Sequence, residues 1–224
     1  MIIATSCFTS ANDPQRNVSV TDVANYVRKW CESVHASGFE GLLFHDCDMP
    51  DFPGVKTVRV EKSNSSPYQR RWFTYRSFLT DYANGETVFL TDVSDVIVNR
   101  FDAALVEPGI LYCGDEEVNV GNPWMIKRIL YYPPDVFNYF APLFSHRLLN
   151  CGIVGGKASV VSHLVEAMCD FLEKYEVPPE ATDMPAFNYV VLRNFLPDLF
   201  HGYPINSAFR AYQAGRKDVW FIHK

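Results

Sequence analysis

The sequence has no CxxC pair, although it carries six cysteines, Cys7, Cys31, Cys47, Cys113, Cys151 and Cys169. A thiolate zinc site or a dithiol redox motif is therefore unsupported. The cysteines are spread evenly and read as small core residues of a reducing, cytoplasmic setting. No apolar run reaches the ~18 residues of a membrane span. The opening MIIATSCF has no basic flank, so no signal peptide is expected. Basic residues are not in excess: 20 Lys and Arg face 26 Asp and Glu, a net charge of −6. That balance excludes the basic field of a protein that coats nucleic acid. Repeats and low-complexity stretches are absent too. The first strand carries no GxGxxG, which argues against a nicotinamide fold. Gly152 precedes Gly156-Lys157 by one residue too few for a Walker A loop.

What is present is a folded composition: 48% hydrophobic, 21% charged and 15% aromatic residues, enough apolar surface to exclude disorder. Strand-like and helix-like segments alternate, which predicts an α/β layer fold. Met1–Ser6 reads as a buried strand. Val23, Tyr26, Val27, Trp30, Cys31 and Val34 follow at helical spacing, with Gly38 as the stop. Leu42–His45 and Val55–Val60 are strands. Pro67 opens a helix with Trp72, Tyr75, Leu79 and Tyr82 on one stripe. Thr87–Thr91 and Gly109–Cys113 are further strands. Residues 114–147 hold only short helical pieces. Leu148–Val154 predicts a strand, a glycine turn and a long helix. Thr182 is expected to cap another helix, and Val219–His223 is a last strand. The expected whole is a single domain, 1–224, built on a Rossmann-like mixed sheet flanked by helices. Residues 1–110 would form its nucleotide-binding half and 111–224 the wall for donor sugar and acceptor.

Acids at strand ends come first, because open α/β sheets bind ligands beyond the carboxyl ends of their strands. VFLTDVSDVIV sets Asp92 at a strand end and Asp95 three residues on. Paired carboxylates repel unless a cation neutralises them, and hard oxygen donors suit Mg²⁺ or Mn²⁺. A solvated turn explains the same residues about equally well. Asp46 and Asp48, in LLFHDCDMPD, form a rival pair. A strand followed by DxD resembles the opening of haloacid-dehalogenase-like phosphatases, with Asp46 as nucleophile; here it follows the second strand, not the first. Asn150, polar within a buried strand, points to a ligand contact. Arg70, Arg71 and Arg76 offer phosphate clamps, at least one of them being a solvated outer residue. Asp183 sits at a helix N-terminus, where capping alone accounts for an acid. His223, beside Lys224, is a better metal-ligand candidate than His201.

Taken in order, IIATSCFTS, WFTYRSFLTDY, VFLTDVSD, NCGIVGG, DMPAFN and the closing HK resemble the GT-A glycosyltransferases over almost the whole chain. The DxxD form is similar to that of the collagen glycosyltransferase domains. The TYR helix and final His-Lys are similar to glycogenin-like and galactosyltransferase-like retaining enzymes. The resemblance implies a nucleotide-sugar donor, most naturally a UDP-sugar, and Mn²⁺ or Mg²⁺. It places Thr5, Ser6 and Phe8 at the base, Asp46 at base or ribose, and Arg76 with Arg71 on nucleotide or sugar. Asp92 would meet ribose and metal, Asp95 and His223 the metal, and Lys224 the diphosphate. Asn150, Cys151 and Gly152 would pass beneath the donor sugar. Asp183 and Asp95 would carry the catalysis, Asp183 being the candidate base of an inverting reaction. The acceptor stays open among protein, glycan and modified DNA, and residues 114–147, with Asp115, Glu116, Glu117, Trp124, Tyr131 and Tyr132, would form its wall. A phosphohydrolase and a non-catalytic sugar-nucleotide or glycan-binding module remain the two other readings.

Overall fold

Alternating side-chain direction along the first strand explains the layering. In the computed structural model, which describes residues 1–12, 19–80, 86–178, 181–208, 211–213 and 215–223, strand β1 is Ile2–Cys7. Ile2 and Ala4 enter one apolar cluster and Ile3 and Cys7 the other, as the two-residue period of a strand dictates. Helix α1 (Val23–Ser37) lays Val27, Trp30, Cys31 and Val34 on the second cluster. It ends at Gly38, whose φ of 78° is the left-handed conformation that glycine adopts without a Cβ penalty.

Strands β2 (Glu40–His45) and β3 (Val55–Arg59) follow. Helix α2 (Pro67–Leu79) starts with proline in its first turn, where a missing N–H costs nothing. Tyr82, expected on its stripe, lies outside the described residues. Strand β4 (Thr87–Thr91) is wholly buried, and the short β5 (Val96–Val98) comes just after it. Strand β6 (Leu111–Asn119) runs past the expected Cys113. Helices α3 (Pro123–Ile129) and α4 (Pro134–Phe140) are the short pieces of the central segment.

Strand β7 (Arg147–Lys157) is where expectation and structure part. No glycine turn ends it near residue 154; Gly155 and Gly156 pair within the strand, with Phe89 and Val88 of β4. Gly155 is glycine for packing: a Cβ there would lie 2.6 Å from the Val88 carbonyl oxygen and run into the Phe89 ring. Helix α5 (Ala158–Tyr175) follows directly. The N-cap of α6 (Met184–Asn194) is Asp183, not Thr182, and the Asp183 side chain makes no capping bond. Strands β8 (Leu199–His201) and β9 (Phe221–His223) complete the chain.

Seven strands form one sheet in the order β3-β2-β1-β4-β7-β6-β8. Both parts of the sequence therefore share a sheet. Strands β1 to β4 pair in parallel, β7 runs antiparallel between β4 and β6, and β8 is parallel to β6. Strands β5 and β9 make a separate antiparallel pair. The result is one compact, Rossmann-like α/β domain with helices on both faces. No helix among the described residues is long and apolar enough to cross a membrane.

Candidate functional site at the strand ends

In the order β2-β1-β4 the chain crosses to one side of β1 and then returns to the other. A crevice opens beyond the carboxyl ends of strands at such a switch point, and a cavity of about 360 Å³ lies there. Ser6, Cys7 and Phe8 leave β1 along one wall. Thr91 and Asp92 end β4, and Asp95 follows. Asn150 and Cys151 enter from β7, Pro67, Tyr68 and Arg71 from the start of α2, and Thr182, Asp183 and Met184 from the start of α6.

Local distortion delivers several of these side chains. The β6–β7 ladder jumps from Cys113↔Val154 to Gly114↔Asn150, so Cys151, Gly152 and Ile153 lack partners in β6. The bulge carries the β7 backbone toward Asp92, whose N–H donates to the Gly152 carbonyl at 2.9 Å. A Cβ at 152 would fall 2.8 Å from Asp92 Cγ and 2.9 Å from Asn150 Oδ1. Glycine is required there by close approach. Asn150 Oδ1 accepts the Gly152 N–H at 2.7 Å, and its Nδ2 donates to Glu116 Oε1 at 2.9 Å. The polar residue in the buried strand thus braces its own bulge and ties β7 to β6 at the cavity edge.

Arg71 is the electrostatic centre. Its Nη1 donates to Asp92 Oδ1 at 2.6 Å, its Nε and Nη2 to Asp183 Oδ2 at 2.8 and 2.6 Å, and its Nη2 also approaches Cys151 Sγ at 3.0 Å. Trp72 Nε1 gives Asp183 Oδ2 a third N–H donor, at 2.8 Å. Burial opposes the Arg71 charge, but Asp183, Cys151 and Asp92 outweigh it and hold the pKa well above the ordinary arginine value. The Asp183 side chain is 2% exposed and that of Asp92 34%. Asp183 is therefore sealed beneath Arg71, while Asp92 keeps an open side.

The small second sheet brings in the last member. Val96 pairs with His223, which returns the end of the chain to the residue after Asp95. The His223 N–H donates to Ser207 Oγ at 2.9 Å, and its ring lines the cavity. Burial lowers the imidazole pKa against the opposing charges of Asp92 and Asp95, so the ring is neutral near pH 7. Asp92, Asp95 and His223 suit a divalent cation in kind, as hard carboxylates with a neutral nitrogen, and they line one cavity. Among the described residues, no three His, Cys, Asp or Glu groups already stand together as a metal cluster. Lys224 lies outside the described residues.

Other expected residues lie elsewhere. Thr5 is fully buried, and its hydroxyl donates to the Thr91 carbonyl at 2.7 Å, so it fastens β1 to β4 and does not line this cavity. Arg76 pairs with Glu173 of α5 at 3.1 Å, on the outside of α2. Asp46 is buried and fully engaged. Its Oδ1 accepts from Thr9 N at 2.8 Å, and its Oδ2 from Ser10 Oγ and Arg70 Nη1. Burial would raise its pKa, but these donors hold it down at about 2. Asp46 orders the loop after β1, and Arg70 in turn lies 4.1 Å above the Phe8 ring. That geometry does not present Asp46 as an open nucleophile, and the partner acid Asp48 is exposed, near Arg59 at 3.3 Å. Glu116, expected on the acceptor wall, lines the cavity, and so does Tyr26, expected only on the apolar stripe of the first helix. Only the β6–β7 register, invisible in a linear reading, places Glu116 beside Asn150. Trp124, expected on the acceptor wall, does line the cavity, with the Arg128 guanidinium 4.4 Å from its ring.

No protein-family model matches the chain, and no curated protein matches it.

Proposed function

We propose that this protein is a metal-dependent glycosyltransferase that takes a nucleotide sugar, most naturally a UDP-sugar, and passes the sugar to a hydroxyl acceptor. The observation that carries the reading is the charge of the switch-point cavity. Four carboxylates, Asp92, Asp95, Glu116 and Asp183, and one guanidinium, Arg71, line it among the described residues. A diphosphate entering alone would meet a net negative wall, whereas a diphosphate carrying a divalent cation would not. The ordered motifs that resemble GT-A enzymes supply the sugar-nucleotide chemistry.

In this reading Asp92, Asp95 and His223 hold Mn²⁺ or Mg²⁺. When bound, the cation supplies positive charge against the developing charge of the leaving diphosphate. Ser6 and Phe8 floor the base pocket, and the Asn150–Gly152 backbone runs beneath the donor sugar. Asp183 is a positioning residue: it fixes Arg71, and Arg71 fixes the Asp92 carboxylate. Arg76, Thr5 and Asp46 support the frame away from the ligand. The test is a panel of nucleotide sugars followed for release of the nucleoside diphosphate with Mn²⁺ and with chelator. Release that requires the metal is expected. Phosphate release from simple phosphomonoesters, or donor binding without any turnover, would overturn the reading.

A further inference from the structure

Helix α3 buries Met125 and Ile129, and the turn after it buries Tyr132. Of the two tyrosines offered for the acceptor wall, only Tyr131 is left outside. The Leu130 N–H donates to the Ile126 carbonyl at 3.3 Å and the Tyr131 N–H to that of Arg128 at 3.1 Å, so helical spacing carries on past Ile129. Trp124, Lys127, Arg128 and Tyr131, three and four residues apart, therefore share the outer face. Leu130, one turn beyond Lys127, is 69% exposed, and Tyr131 is 49% exposed. Among the described residues they are the only exposed large apolar side chains adjacent in sequence. A lone exposed leucine is ordinary, but an apolar group set among cations is not. Those cations are not neutralised. Neither Lys127 nor Arg128 pairs with a carboxylate among the described residues. Arg128 lies 4.4 Å from the centre of the Trp124 ring, and its covered Nε has no hydrogen-bond partner. Arginines over other rings are engaged: Arg70, Arg71, Arg76 and Arg216 by carboxylates, and Arg193 by the Tyr189 hydroxyl.

We infer that the outer face of α3 docks the protein on an anionic lipid surface. Tryptophan and tyrosine carry a polar tip on an apolar ring and favour the level of the lipid headgroups. Leu130 offers only hydrocarbon, which the acyl boundary accepts and a soluble polyanion does not. Lys127 and Arg128 have apolar stems that lie along that boundary while their charges meet anionic headgroups. The whole chain carries a net charge of −6, so attraction to such a surface has to come from a local basic face. A helix this short lies on the bilayer and does not cross it. Trp124 also lines the switch-point cavity, so the docking face and the cavity share a residue. The inference stands apart from the glycosyltransferase reading, and neither depends on the other.

The test sediments the full chain with vesicles of phosphatidylcholine and phosphatidylglycerol in equal parts, and with phosphatidylcholine alone. The wild type should bind the anionic vesicles at least about tenfold more tightly. Lys127→Gln with Arg128→Gln should weaken that binding by about thirtyfold, the worth of two basic residues at such a surface. Leu130→Glu with Tyr131→Glu should abolish it. The changed side chains are exposed or half-buried, so both double variants should melt within about 2 °C of the wild type. Trp124 is half-buried, whereas Trp30, Trp72 and Trp220 are buried. Fluorescence quenching by lipids brominated along the acyl chain therefore reads Trp124, and should be seen in the wild type and lost in Trp124→Phe. A wild type that stays in solution with anionic vesicles would overturn the inference. So would binding that the two glutamines weaken and the two glutamates leave intact, which marks a site for soluble polyanions. A dimer in light scattering that the glutamates split, with no lipid binding, would make this a face for a second copy. Quenching that survives Trp124→Phe would put the lipid contact elsewhere and overturn the assignment to α3.

Discussion

Replacing Gly152 by alanine separates the site from the scaffold, because Gly155, three residues on, supplies the control. At 152 the new methyl would meet Asp92 Cγ at 2.8 Å and Asn150 Oδ1 at 2.9 Å. The Asp92 side chain is 34% exposed and can swing aside. Doing so gives up its 2.6 Å bond to Arg71, a charge-assisted hydrogen bond worth about 1.5–3 kcal/mol when buried and less with one side open to water. The fold should therefore lose only about 1 kcal/mol, a shift of roughly 2–4 °C in melting temperature for a domain of this size. The carboxylate, however, would no longer face the cavity. At 155 the methyl would meet the Val88 carbonyl oxygen at 2.6 Å and the ring of Phe89. That ring is fully buried among Phe101, Trp220 and Phe221 and has nowhere to go. Overpacking of this kind costs about 1–3 kcal/mol or more. Melting curves and UDP calorimetry in Mn²⁺ on both variants test the contrast. Gly152→Ala should be nearly as stable as wild type and bind UDP at least tenfold more weakly. Gly155→Ala should melt several degrees lower and, where folded, bind normally. Unchanged UDP affinity in Gly152→Ala would refute the close-approach argument.

Asp46 ionises near pH 2 in the folded protein, below its ordinary 3.8, so the folded state holds its charged form. Its contribution, about 2 kcal/mol, is complete above pH 5 and is lost as pH falls from about 4 through 2. Urea unfolding should show the stability gap between wild type and Asp46→Asn shrinking by about that amount over this range. Asp183→Asn should lower stability by about 3–5 kcal/mol, because it strips the buried Arg71 of its main partner; denaturant titration checks this. Arg76→Ala should change stability by less than about 1 kcal/mol, as an exposed ion pair does, and leave UDP affinity unaltered in calorimetry.

Local signals were legible in the sequence. The spacing of Val27, Trp30, Cys31 and Val34, the stop at Gly38, and the end of β4 immediately before Asp92 all stand as expected. So does the meeting of Asp92, Asp95, Asn150, Asp183 and His223 at one cavity. What stayed hidden depended on pairing between distant elements. A GG pair before Lys157 has the composition of a turn, yet the buried Phe89 ring demands a strand without side chains there. Asp183 has the sequence position of a helix cap, but Arg71, 112 residues away, outbids the helix for its carboxylate. Arg76 and Arg71 look alike on a linear helix, and only packing against α5 sends one outward. Glu116 was expected on the acceptor wall, but its bond to Asn150 had no signal, since a β-bulge in β7 brings Asn150 opposite Gly114 and within reach of it.

The central claim, a diphosphate held through a divalent cation on Asp92 and Asp95, is tested most directly by UDP calorimetry with Mn²⁺ and with EDTA, on wild type and on Asp95→Ala. The account predicts wild-type affinity at least tenfold weaker in EDTA, a loss of about 1.4 kcal/mol or more, and an Asp95→Ala variant that stays folded and binds weakly in both. Equal wild-type affinity with and without the metal would contradict it.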